Sequence, residues 1–167
     1  ICNFIPEAGI WLNTQRPEWN DANNALVGNG VSIVTLNYLR RFLKFWDDKF
    51  KNILITEINI SDNVATLFDN INIFLKDNSG LINTGFSDKD RLNFANNLGR
   101  AHSKYRSEIY SFSFSGEKKS IQVKELQAFT ELCLKYIDHS IKANERTDKL
   151  YHAYNLISIK SDKISIR

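Results

Sequence analysis

The chain has 167 residues, 43% hydrophobic and 25% charged, a composition that fits one globular domain and excludes wholesale disorder. Its 22 basic and 19 acidic residues are interleaved and leave a net charge of +3, so no basic stripe points to nucleic acid. No run approaches the ~18 apolar residues of a membrane span, and no basic-then-apolar leader opens the chain, so we expect a soluble, cytoplasmic protein without a membrane partner.

Cys2 and Cys133 are the only cysteines, and His102, His139 and His152 stand singly, so no zinc-ligand spacing exists and no metal is expected. The absence of methionine and the start at Ile1 imply a processed chain or a fragment, hence one partial domain over 1–167. Residues 1–30 are rich in Asn, Gly and Pro and read as a long ordered loop, the kind that is often functional.

Four helices follow between 31 and 144. Val34, Tyr38, Leu39, Phe42, Phe45, Trp46 and Phe50 recur at helical steps and predict the first over 31–50. Ile53–Ile60 reads as a short extended connector. Ser61 caps a second helix through Leu75, stopped near Gly80. Ser87 and Asp90 form a capping box for the longest helix, through Phe112. After a turn-rich break at 113–120, Val123 to Ile141 give a fourth stripe, in which Cys133 is an inert core thiol. In the tail, 145–167, Ile157 and Ile159 alternate ahead of Ile164 and Ile166 around Ser161-Asp162, which predicts a small β-hairpin at the edge. The expected class is all-α, antiparallel helical hairpins packed side by side. The aromatic surface exceeds what two hairpins bury, so further helices of the same polypeptide are expected as partners.

Chemistry concentrates in Arg16-Pro17-Glu18-Trp19-Asn20-Asp21. An aromatic ring stacks on a pyranose, an amide bonds hydroxyls, and a carboxyl group protonates a glycosidic oxygen. The alternative is that Asp21 caps the segment entering the first helix while Trp19 fills the core. Arg16 suits a phosphate or a sugar hydroxyl, or is simply solvated. His152, between Tyr151 and Tyr154, either faces a site or is satisfied at a helix end.

Glu18-Trp19-Asn20-Asp21, followed by Asn24, Gly28, Gly30, Ser32 and an aromatic-rich helix, resembles the Asp-Trp-Asn-Asp segment of the cellobiose and chitobiose phosphorylases. The resemblance covers about residues 16–46 and implies part of an (α/α)6 toroid, Asp21 as general acid and Trp19 as the substrate-contacting tryptophan. Glu18 replaces the family's first Asp, one methylene longer. Leu150 to Asn155, with Tyr151 and His152, looks like a second site segment. The expected function is inverting phosphorolysis or hydrolysis of an oligosaccharide. Asp21 and Glu18 are the catalytic pair, and Trp19, Asn20, Arg16, His152 and Tyr151 bind substrate. No cofactor is implied; inorganic phosphate is the co-substrate if the reaction is phosphorolysis. Two rivals are a non-catalytic helical interaction module and a sugar-binding protein with a dead site.

Overall fold

The computed structural model describes residues 1–13, 21–113 and 116–167, of which 21–23 by backbone only. The elements are β1 (Phe4–Ile5), β2 (Gly9–Trp11), α1 (Asp21–Leu26), β3 (Gly30–Ser32), α2 (Ile33–Phe50), β4 (Glu57–Ser61), α3 (Asp62–Asp77), α4 (Leu81–Thr84), α5 (Asp88–Phe112), β5 (Lys118–Gln122), α6 (Val123–Ala143), β6 (Tyr154–Ile159) and β7 (Ile164–Ile166).

The four long helices form where apolar residues recur at helical steps, and their starts are chemically marked. Ser87 Oγ accepts the Asp90 amide while the Asp90 carboxylate accepts the Ser87 amide, the capping box the spacing predicts for α5. Gln122 and Glu125 build the same box for α6. Ser61 holds the cap position of α3, but its hydroxyl caps no backbone amide. The cap of α2 is Ser32, whose Oγ accepts the Thr35 amide at 3.0 Å, so Asp21 does not cap that helix. Asp21 instead opens α1.

The all-α expectation is overturned by a curled five-stranded antiparallel sheet in the order β1-β2-β3-β6-β7, with a second sheet of β4 and β5. The fold is mixed α/β, and the expected stretch of toroid is corrected with it. Residues 1–30, read as loop, contribute β1, β2, the helix α1 and the first residue of β3. Ile157 pairs with Ile166 and Ile159 with Ile164, so the C-terminal hairpin is present. It is not a free-standing edge feature, because β6 also pairs with β3. The connector expected at 53–60 and the break at 113–120 supply β4 and β5, with Ile58 opposite Ile121. Strands of two or three residues are too short for alternation to be read, and their partners lie far away in sequence.

Helix α2 packs on α6, and α3 on α5. The α2–α6 pair is antiparallel, since Arg40 meets Asp138 and Phe50 lies by Val123, and α3 meets α5 where Phe74 rests edge-on against Phe94. Phe4, Leu36, Leu75, Phe94, Leu98 and Tyr136 are fully buried in one core, where the Tyr136 hydroxyl donates to the Leu75 carbonyl at 2.7 Å. A second cluster of Ile5, Ala8, Val31, Ile157 and Ile164 lines the sheet, and Leu92 and Ala95 of α5 close it. Cys133 is buried in the main core, and burial pushes its thiol pKa up to about 12, which keeps it protonated and inert.

Of the stripe expected on α2, Leu39 packs against the core and Phe50 is half-buried, but the rest faces outward. The buried side of α2 is Ile33 and Leu36, with Leu39 and Leu43 packed against the core, whereas Val34, Tyr38, Phe42, Phe45 and Trp46 are exposed. This helix carries two apolar stripes, and periodicity alone cannot choose between them.

Two glycines give a matched test. A Cβ on Gly30 would stand 2.5 Å from Leu26 Cβ and 2.8 Å from the Leu26 carbonyl oxygen, whereas one on Gly99, inside α5, meets nothing within 4 Å. Chemical denaturation should show Gly30→Ala destabilised by about 1–3 kcal/mol through overpacking. Gly99→Ala should be stabilised by about 0.5–1 kcal/mol, because alanine gives up less backbone freedom in a helix.

Candidate functional site

The segment with the expected chemistry leaves the sheet through a closed neck. β2 and β3 pair with Ile10 opposite Ser32 and Trp11 opposite Val31. Beyond them the Leu12 amide donates to the Gly30 carbonyl at 2.9 Å and the Gly28 amide to the Leu12 carbonyl at 2.6 Å. The Trp11 indole donates to the Gly28 carbonyl at 3.0 Å, and Asn3 Nδ2 donates to Asn13 Oδ1 at 3.1 Å. On the returning side Leu26 seats α1 directly against Gly30.

Arg16, Glu18, Trp19 and Asn20 lie outside the described residues. Asp21 is described as the first residue of α1, and its side chain lies outside the description. Tyr151 and His152 are exposed on the segment between α6 and β6. Tyr151 bridges to Glu145 and lines a shallow cleft of about 390 Å³ with Asn37, Arg40 and Asp138. The Ala153 carbonyl accepts the Ile33 amide at 3.0 Å, which puts this segment at the Ser32 end of β3. Helix α1 docks at the Gly30 end, so the two expected site segments are anchored at opposite ends of one strand. Asn155, from the same expected segment, has a structural role: its Nδ2 donates to the Ala8 carbonyl at 3.0 Å and to Asn144 Oδ1 at 2.6 Å.

The most fully bonded polar cluster was invisible in the sequence. Glu7, in the turn between β1 and β2, has φ of +59°, a left-handed backbone that a non-glycine residue adopts only when its surroundings hold it there. One carboxylate oxygen accepts from Arg91 Nη2, and the other lies 3.0 Å from His139 Nε2. The Glu7 amide donates to Ser140 Oγ at 3.0 Å, and its carbonyl accepts from Asn144 Nδ2 at 2.7 Å. Arg91, itself buried, also donates to the Pro6 carbonyl and to Asp88. A single turn is thereby tied to the start of α5 and the end of α6. The only local hints were a Pro-Glu-Ala-Gly turn and an arginine one residue past a capping box, neither of which names its partner.

His139 also reaches the wall of a cleft of about 740 Å³ between α6 and the α3–α4 turn, with Ser79, Asn83, Lys135 and Lys142 around it. Farther along, Asp88 is held below the usual carboxylate range, first by the Ser165 hydroxyl and then by the nearby charges of Arg91 and Lys163. Among the described residues, no group of three or more His, Cys, Asp or Glu could hold a metal ion, and no helix is long and apolar enough to cross a membrane.

No family model matches this chain, and no curated protein matches it in sequence.

Two outcomes follow from the polar cluster. Arg91→Ala strands the Glu7 carboxylate and should cost about 3 kcal/mol in chemical denaturation, while adding Glu7→Gln should recover part of that loss, as a coupled pair requires. The stabilisation from Asp88 is fully present above its unfolded pKa and is lost as pH falls through the lower folded one. Ser165→Ala should therefore lose less stability than the parent on acidification below about pH 4, read as melting temperature against pH.

Proposed function

We propose that the excursion between β2 and β3 is the reactive segment of a carbohydrate-active protein that cleaves a glycosidic bond in an oligosaccharide, by inverting phosphorolysis or hydrolysis. Asp21 is the general acid, Trp19 and Asn20 bind the sugar, and Glu18 and Arg16 position them. The observation that carries this is the neck. The excursion departs from a rigid strand pair, with hydrogen bonds closing its base and Leu26 wedged on Gly30 where it returns. The residue types within it supply the remaining support, through the resemblance of Glu18-Trp19-Asn20-Asp21 to the phosphorylase motif.

The chemistry imposes one condition. A carboxylic acid must stay protonated near neutral pH to donate, so a bound saccharide has to exclude water from Asp21 and raise its pKa. Asp21 then gives its proton to the leaving oxygen while phosphate or water attacks the opposite face of the ring. Hydrolysis needs a second carboxylate as base at about 6.5–9.5 Å, whereas phosphorolysis brings its own nucleophile.

The test is an oligosaccharide panel assayed with the intact protein, with and without inorganic phosphate, for released reducing sugar and sugar phosphate. Asp21→Asn should lower turnover at least about a hundredfold, the contribution of a general acid, with an unchanged melting temperature. Equal turnover by parent and variant overturns the assignment, and binding without any product favours a dead-site sugar binder.

A further inference from the structure

Among the described residues, nothing covers the aromatic face that helix α2 turns outward. Tyr38 is 63% exposed, Phe42 57%, Phe45 54% and Trp46 38%. With about 200 Å² per side chain these four rings leave roughly 400 Å² open, a patch size that marks interaction sites on monomeric proteins. The stripe runs along the helix from Val34 to Phe50, about 24 Å at the α-helical rise. At its far end the Trp46 ring contacts Phe50, which lines a notch of about 350 Å³ with Ile53, Leu54 and Ile55, and Leu54 is 97% exposed.

The charge on this face has one sign. At 100° per residue the sector from Arg41 to Trp46 holds Val34, Thr35, Tyr38, Phe42, Phe45 and Lys49 and no carboxylate, and Asp48, 20° beyond Arg41, is paired with Lys44. Arg41 lies over the Tyr38 ring and Lys49 over the Phe45 ring. By contrast the cations on the flanks of α2 are neutralised, Arg40 by Asp138 and Lys44 by Asp47 and Asp48. Phe42 and Phe45 each meet Trp46 edge to face, at 70° and 82°, so the rings form a stepped ridge rather than one flat plate. A second copy laid antiparallel about Phe45, or parallel in exact register, would set cation against cation. What remains is an apolar ridge with two cations eight residues apart, Arg41 and Lys49, that meet no carboxylate among the described residues.

We propose that the exposed face of α2 docks an amphipathic helix of another protein, whose apolar stripe is flanked by carboxylates about two turns apart. The partner's apolar side chains lie between Tyr38, Phe42 and Phe45, one enters the notch beside Phe50, and its carboxylates meet Arg41 and Lys49. The inference does not depend on the carbohydrate activity, because none of these residues belongs to the β2–β3 excursion.

The test uses the intact protein and two synthetic helical peptides as long as α2, with identical leucine stripes, one flanked by Glu and the other by Lys. Fluorescence anisotropy should show the Glu peptide binding at least about tenfold more tightly, with the preference inverted in Arg41→Glu/Lys49→Glu. Phe42→Ala/Phe45→Ala should weaken binding at least about tenfold at unchanged melting temperature, since these rings lie outside the core. Three results overturn the proposal: binding by neither peptide, equal binding of both, or a concentration-dependent dimer that Phe42→Glu dissociates.

Discussion

The pairing of β3 with β6 is the constraint on which the other contacts depend. Gly30 faces Leu156, Val31 faces Asn155 and Ser32 faces Tyr154, joining segments separated by about 120 residues of chain. Because α2 begins at the residue after Ser32, and its Ile33 and Val34 amides both donate to the Ala153 carbonyl, the strand pair fixes where α2 starts relative to the end of α6. The antiparallel α2–α6 contact follows, and with it the main core. On its other side β3 carries β2 and the closed neck, so the candidate segment hangs from the same three residue pairs.

Glu7 adds a second tie that burial alone would not provide. An arginine and a carboxylate withdrawn from water are costly unless their hydrogen bonds are met, and here both are: Arg91 finds Glu7, Asp88 and the Pro6 carbonyl, and Glu7 finds Arg91 and His139. The gain is orientation. The β1–β2 turn is held against α5 through Arg91 and against α6 through Ser140 and Asn144, so the sheet cannot slide across the helices without breaking charged hydrogen bonds.

The four long helices were legible because each repeats its signal over four or more turns, and the Ser87–Asp90 box marked one start to the residue, whereas α1, inside the stretch read as loop, and the single-turn α4 were missed. The C-terminal hairpin was legible because Ile157, Ile159, Ile164 and Ile166 alternate across a two-residue turn signal. The rest of the sheet was not. Phe4–Ile5 and Gly9–Trp11 are too short to show a period, and Lys118–Gln122 has a single buried residue, Ile121. The buried face of α2 was misread because Val34, Tyr38, Phe42 and Phe45 form as regular a stripe as Ile33, Leu36 and Leu43, and only tertiary packing decides between them. For the candidate site, the chain of residue types from Arg16 to Asp21 was legible as chemistry, whereas the Glu7–Arg91–His139 cluster depends on residues more than eighty positions apart and has no local signature.

The small sheet of β4 and β5 leaves no spare residue between strand and helix: Ser61 is followed at once by α3, and Gln122 by α6. Its five pairs, from Glu57 with Gln122 to Ser61 with Lys118, therefore act as a vernier that sets the rotational phase of two helices together. A slip of one residue would turn one strand's side chains to the opposite face and leave the helix that follows it starting about 100° out of phase, its apolar stripe rotated off the core. A modest, mostly polar ribbon thus carries the angular alignment of half the helical layer.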